Sequence, residues 1–327
     1  MGKKKLIRKL GQPANGAFKK NGVVRHFVNL TDFDKDTLKA ILKNAHRLQT
    51  RKSAHVQIFG GQSLAMIFDK PSTRTRMSFA LAFKQLGGHV EVLNKSDIQL
   101  GNGESVFDTA KVMSRYVDAM MIRTSSHQLV EELAKHSDVP VINALTDASH
   151  PCQIMADLMT IQEHGKKLKG LNVTWLGDDN NVSKTFAQAA GIFGFTLTMS
   201  SPKHLPLDGK DYKGNHVKVE RDPKKAMKGA DVVVTDTWRS MGQGEKDNTL
   251  FEPYQVNPGL MKLAKKDAIF LHCLPAHRGE EVTDSVMDGK QSVVFDEAEN
   301  RLHAQKAILA WCLAKSKVRV RNRRLTA

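Results

Sequence analysis

Apolar positions along the chain fall into two kinds of run that alternate from one end to the other. Short runs of strand length occupy residues 63–68, 89–93, 118–122 and 139–143, then 173–176, 195–199, 216–219, 231–235 and 268–272. Between them, apolar residues recur at helical spacing. Examples are Leu38, Ile41, Leu42, Ala45 and Leu48; Met77, Ala80, Leu81 and Leu86; and Ile154, Met155, Leu158, Met159 and Ile161. Val106 to Tyr116, residues 128–136, and Phe186 with Ala189, Ala190 and Ile192 repeat the pattern, and shorter helices fit 223–228 and 258–263. A last helix carries Ala304, Ala307, Ile308, Trp311 and Cys312. Thr31 or Asp32 is the expected cap of the first helix. Strand–helix alternation predicts an α/β protein of mainly parallel sheets flanked by helices, joined by right-handed crossovers. The alternation starts afresh after the basic, glycine-ended stretch 166–170, a candidate boundary, and 327 residues suit two domains.

Polar residues gather where the predicted strands end. The octet Asp69-Lys70-Pro71-Ser72-Thr73-Arg74-Thr75-Arg76 lies between a buried strand and a helix. Ser72 suits the cap, and the N–H groups of the following residues face outward at the positive end of the helix dipole. Arg74 and Arg76 add guanidinium forks, so the turn suits a phosphate better than a merely solvated helix start. Arg123 closes the strand at 118–122, where α/β sheets present ligand groups. His150-Pro151-Cys152-Gln153 opens another helix, with Pro151 at its first position and His150 as cap.

The second half has polar strand ends of its own. Gly177-Asp178-Asp179-Asn180-Asn181 follows a strand but lacks G-x-G-x-x-G, and no Walker-type loop is present, so neither a dinucleotide nor ATP is supported. Asp236-Thr237-Trp238-Arg239-Ser240-Met241-Gly242 leads into a polar loop through Gly244, a candidate lid. His272-Cys273-Leu274-Pro275-Ala276-His277 has residues that bind zinc, but no second ligand pair to complete a tetrahedron. Asp296 and Glu297 stand in the first turn of the last helix, where acids suit the dipole.

Charge adds a qualification. The formal balance is +16, yet residues 1–26 hold eight Lys/Arg and residues 315–327 six, with no acid in either. The remainder has 36 basic and 34 acidic residues, so the excess belongs to two tails. The tails are nearly devoid of aromatics, which argues against specific nucleic-acid recognition. Residues 1–24 are expected to be disordered, and the tails to be solvated extensions, an organellar-targeting remnant at the N-terminus, or a weak polyanion contact. No apolar run approaches the ~20 residues of a membrane helix, and the start lacks a secretory h-region. Three widely spaced cysteines (Cys152, Cys273, Cys312) indicate a reducing compartment without a disulfide framework.

Taken together and in order, Ser72-Thr73-Arg74-Thr75-Arg76, Arg123, His150-Pro151-Cys152-Gln153, Asp236 with Ser240-Met241-Gly242, His272-Cys273-Leu274-Pro275 and Glu299-Asn300-Arg301 resemble the transcarbamylase family. The Asp-x-x-x-Ser-Met-Gly and His-Cys-Leu-Pro blocks resemble the members that use ornithine rather than aspartate. The resemblance implies a carbamoyl phosphate domain at 25–150, completed by a C-terminal helix at 299–314 packing back on it, and an ornithine domain at 151–298. It implies that Ser72, Thr73, Arg74, Thr75, Arg123, His150, Gln153, Cys273, Leu274 and Arg301 bind carbamoyl phosphate. Gln99 would be lent by a neighbouring subunit of a homotrimer. Asn181, Asp236, Ser240 and Met241 would hold ornithine, with Cys273, Arg123, His150 and Asp236 catalytic. Neither metal nor organic cofactor is implied, and cytoplasm is the expected compartment, with the mitochondrial matrix as the alternative. Putrescine or an N-acylornithine as acceptor, and a basic-tailed polyanion-binding protein, are the competing readings.

Overall fold

The computed structural model describes residues 24–49, 57–100, 103–207, 212, 214–239 and 247–314. The tails, apart from residues 24–26, lie outside the described residues, as do Ser240, Met241 and the candidate lid around Gly242 and Gly244.

The first sheet has four parallel strands, Ser63–Phe68 (β1), His89–Asn94 (β2), Ala119–Arg123 (β3) and Val141–Leu145 (β4), in the order β2-β1-β3-β4. Its helices are Lys35–Gln49 (α1), Thr73–Gln85 (α2), Val106–Tyr116 (α3) and His127–His136 (α4). Side chains alternate across the sheet, as a period of two requires. Leu64, Met66 and Phe68 join the core that includes α1 and α2, while Ala65 and Ile67 join Ala110, Val130 and Leu133 of α3 and α4.

Helix Pro151–Glu163 (α5) leads to the second sheet. Its strands are Asn172–Leu176 (β5), Thr196–Ser200 (β6), Val217–Val219 (β7), Val232–Thr235 (β8) and Ile269–His272 (β9), all parallel, in the order β7-β6-β5-β8-β9. Asn181–Phe193 (α6) follows β5, and the short helices Pro223–Ala226 (α7), Pro258–Met261 (α8) and Asp284–Met287 (α9) fill later crossovers. In both sheets a parallel strand order with the chain's reversal near the middle leaves carboxyl-end crevices for ligands.

Two long helices join the units. Every residue of α5 from Pro151 to Ile161 is buried, the polar Gln153, Asp157 and Thr160 included, because neighbouring helices cover it on several sides. The last helix, Val294–Leu313 (α10), starts beside β9 and packs on α5, α1 and α2, returning the chain to the first unit. At its far end the Arg25 guanidinium stacks on Trp311, 4.9 Å from the ring centroid, and donates to the Trp311 carbonyl. One continuous core thus runs from Phe27 and Leu38 through Phe79 and Ile308 to Trp175 and Phe186.

Two local expectations shift. Thr31 and Asp32 do not cap α1: residues Leu30–Asp32 form a 3₁₀ turn in which the Asp32 carboxylate accepts the Asn29 N–H. Asp34 takes the capping role, accepting the Thr37 N–H at 2.6 Å. The strand expected at 139–143 begins at Val141, because the Ser137 hydroxyl engages the Val139 backbone and Pro140 has no N–H for a ladder.

Candidate active site

The phosphate turn folds as its sequence requires. Ser72 has extended backbone and its hydroxyl accepts the Thr75 N–H, capping α2. Thr75 is fully buried, and its hydroxyl oxygen accepts from two guanidinium groups, Arg123 Nη1 at 3.1 Å and Arg301 Nη2 at 2.8 Å. These come from the end of β3 and the second turn of α10, with 226 residues separating Thr75 from Arg301. Arg74, on the same turn, is half-buried, and its Nε, like those of Arg123 and Arg301, has no hydrogen-bond partner among the described residues. Burial lowers the Arg123 pKa to about 10, and repulsion from Arg301 and Arg74 adds to it. Three neighbouring cations without an acid among them are the complement of a dianion.

Arg76 takes no part in this convergence. It lies on the exposed side of α2 over the Phe68 ring and bonds Asn94 at 2.5 Å. There it helps line a cavity of about 540 Å³ with Ser72, Thr73, Lys70 and Lys95. Gln99 is exposed in the loop after β2.

His150 is buried at the start of α5, as the Pro151 rule predicts, with its backbone N–H on Thr185 Oγ1. Burial first, then Arg301 and Arg123, push its pKa well below the ordinary value, so the imidazole is neutral. Its Nδ1 is buried without a partner among the described residues. Gln153, one turn further, is fully buried.

The second unit contributes the opposite sign. Cys273, just past β9, donates its S–H to Asp236 Oδ1 at 3.2 Å. Asn180, the cap of α6, donates to Asp236 Oδ2 at 2.8 Å. Burial and the nearby carboxylates of Asp236 and Glu297 push the thiol well above its usual range, so it stays protonated. Leu274 has φ of +59°, a left-handed conformation unusual for leucine that turns the chain at this strand end. Its N–H is held by His272 Nδ1, which leaves the proton of that buried ring on Nε2, donating to Glu281 at 3.0 Å. Asp236, His272 and Cys273 do present atoms within 4.8 Å of one another, but both ring nitrogens of His272 are already engaged. Asn181 uses its amide N–H on the Thr146 carbonyl at 2.6 Å.

This arrangement has relatives. The family model described as "Aspartate/ornithine carbamoyltransferase, carbamoyl-P binding domain" matches residues 25–163, and the one described as "Asp/Orn binding domain" matches 169–312. The chain belongs to the aspartate/ornithine carbamoyltransferase family. Ornithine carbamoyltransferase of Nitrobacter winogradskyi is 54% identical over 301 residues, covering 88% of this chain and 97% of its own. That of Rhodopseudomonas palustris is 53% identical over 303 residues, covering 90% and 98%. Among solved structures, ornithine carbamoyltransferase from Pyrococcus furiosus superimposes with a TM-score of 0.86 at 46% identity, over 90% of this chain and 99% of that one. One from Thermus thermophilus gives 0.82 at 40% identity, over 88% and 98%.

Within this family member, three site residues escape a reading of the sequence. Asn180 reads only as one residue of a polar stretch after a strand. Asp157 reads as one more polar position on α5. Glu297 reads as a dipole-suited acid at a helix start, yet it is 1% exposed and accepts the His272 N–H at 2.8 Å. Only the packing of α10 between the two units puts Glu297 and Arg301 on the same cleft.

Proposed function

We propose that this chain transfers the carbamoyl group of carbamoyl phosphate to the δ-amine of L-ornithine, giving L-citrulline and phosphate. The observation that carries the reading is the Thr75 hydroxyl bridged by Arg123 and Arg301, facing the unit that holds Cys273 on Asp236. The phosphate sits on the start of α2, held by Ser72, Thr73, Arg74 and Thr75 with Arg301. The carbamoyl oxygen gains charge as its carbon becomes tetrahedral, and Thr75, Arg123 and neutral His150 stabilise it. Gln153 and the Leu274 carbonyl hold the carbamoyl NH₂.

Ornithine arrives as a cation whose δ-ammonium has a pKa near ~10.4, so little free amine exists at neutral pH. Asp236 attracts this group and, with Cys273, aims its nitrogen at the carbamoyl carbon. Cys273 acts as a protonated orienting group rather than a covalent nucleophile. Asn181, Ser240 and Met241 hold the amino-acid end. Holding both reactants in attack geometry is worth roughly 7–11 kcal/mol. Residues 25–150 with the C-terminal helix form the carbamoyl phosphate domain and 151–298 the ornithine domain, with α5 and α10 linking them.

The protein works as a cytoplasmic homotrimer. Exposed Met77, Leu81, Phe107, Val112 and Tyr116 on α2 and α3 support a subunit interface beside the phosphate turn, across which Gln99 would reach a neighbour's phosphate. The test is citrulline formation from carbamoyl phosphate with a panel of amines. Ornithine should be used alone; equal use of putrescine or N-acetylornithine would overturn the acceptor assignment.

A further inference from the structure

Behind Gln153 lies a buried acidic pair that phosphate and ornithine binding leave unexplained. Asp157 stands one turn along α5 from Gln153, and Glu297 comes from the first turn of α10; each is 1% exposed. Gln153 Nε2 donates to Asp157 Oδ1 at 2.8 Å and to Glu297 Oε1 at 2.9 Å. An amide nitrogen has two hydrogens, so both are used. The amide oxygen therefore faces away from the pair, and Gln153 Oε1 is buried with no partner among the described residues. The reversed amide would leave its two hydrogens without these acceptors, so the neighbours fix the orientation. The carboxyls are also hydrogen-bonded to each other, and burial raises both above the ordinary carboxylate range. The pair thus retains a proton near neutrality and avoids a full double charge.

We propose that Asp157 and Glu297 are positioning residues for donor recognition. By occupying both amide hydrogens of Gln153 they leave its oxygen as an acceptor for an N–H donor, selecting carbamoyl phosphate over acyl phosphates with a methyl group in place of NH₂. The inference rests on the carbamoyl phosphate reading of this pocket. A methyl group cannot pair with Gln153 Oε1, and sites built to hydrogen-bond a substrate N–H reject analogues lacking it by up to ~10⁴–10⁵-fold. Glu297 also holds the His272 N–H, next to Cys273, so the same carboxyl braces the amine side of the cleft.

Glu297→Gln is the sharpest probe, because glutamine has one oxygen where Glu297 accepts two N–H groups. Its oxygen stays on the His272 N–H, its nitrogen turns to Asp157, and Gln153 loses an acceptor. The kcat/KM for carbamoyl phosphate should fall at least about tenfold, while the inhibition constant of acetyl phosphate stays within about twofold. An unchanged ratio of the two constants, or an equal loss in both, overturns the proposal. If Glu297→Gln does not fold, Asp157→Asn and Asp157→Leu replace it. Asparagine offers Gln153 an oxygen and Glu297 an N–H, so it keeps the donor preference whatever its rate; leucine should lose at least about fivefold. Equal preference in those two variants overturns the proposal. Wild-type enzyme that makes no citrulline would fault the functional reading, whereas an active wild type with an unmoved ratio faults the acidic pair alone.

Discussion

The two walls of the cleft are built from opposite charges, and each wall by itself is unfavourable. On one, Arg123 and Arg301 donate to the Thr75 hydroxyl with Arg74 near Arg123, and none of the three has an ion pair to an acid among the described residues, although Arg301 feels the buried Asp157 and Glu297. On the other, the Cys273 thiol lies among Asp236, Glu297 and Asp157. Burying like charges together costs stability unless something of opposite sign arrives. In the proposed reaction each wall is complementary to one reactant, a phosphate dianion or an alkylammonium. On that proposal the unpaired charge of the cleft answers to the substrates, whereas charges elsewhere, such as Arg278 with Asp284 and Asp288, are paired within the fold.

Removing a cation should produce the largest effect. Arg301→Met should lower kcat/KM for carbamoyl phosphate by about 10²–10³, equivalent to ~2.7–4 kcal/mol of barrier, because in the proposed reaction it removes a donor to the reacting oxygens. Relief of repulsion with Arg123 should keep the melting temperature near the wild-type value. A lowered melting temperature with intact kinetics would make the cationic wall structural. A smaller effect is expected from the acidic wall. Cys273→Ser should weaken ornithine use by about ten- to a hundredfold, as expected for a disturbed hydrogen bond to a charged group, ~1.5–3 kcal/mol. The KM for carbamoyl phosphate should change by less than ornithine use does, since Cys273 is also expected to touch the carbamoyl group; an equal change would mean that the two walls are not independent.

The pH profile sharpens the comparison further. His150 has a depressed pKa, so it is neutral at and above its ordinary ~6.5 and does not titrate between pH 6 and 9. Cys273 is raised, so it remains a thiol across the same window. Ornithine then supplies the main slope: kcat/KM for ornithine should rise up to about tenfold from pH 7 to 8 as the free amine increases, with the buried Asp157–Glu297 pair, raised by burial, the protein group that titrates nearest this window. A plateau at that pH would mean that a protein group limits the reaction. The smallest effect belongs to Lys95→Met, which removes an ion pair to Asp69 at 3.1 Å beside the phosphate turn. Lys95 is mostly exposed, and stability should change by no more than ~0.5 kcal/mol in chemical denaturation. A larger loss would extend the cationic wall outward to that residue.

Much of this was legible locally. Ser72 and Pro151 announce helix starts because capping chemistry involves only a few neighbouring residues, and both occur where expected. The alternating runs announce two parallel sheets, since a side-chain period of two or of 3.6 is a property of the strand or helix itself. Arg76 was less transparent: it shares a turn with Arg74, but helical rotation carries it to the outer face and Asn94. Glu297 was opaque, because an acid at a helix start has a local explanation that hides its distant partners Gln153 and His272.

The sequence by itself determined the elements, their caps and the polar strand ends, because those depend on short-range sterics and hydrogen bonding. Tertiary structure alone decided which of these ends meet. Arg301 reaches Thr75 and Glu297 reaches His272 only because α10 leaves β9 and packs back across α5 onto α2. That path is set by the fit of apolar faces far apart in the chain, which local spacing cannot encode.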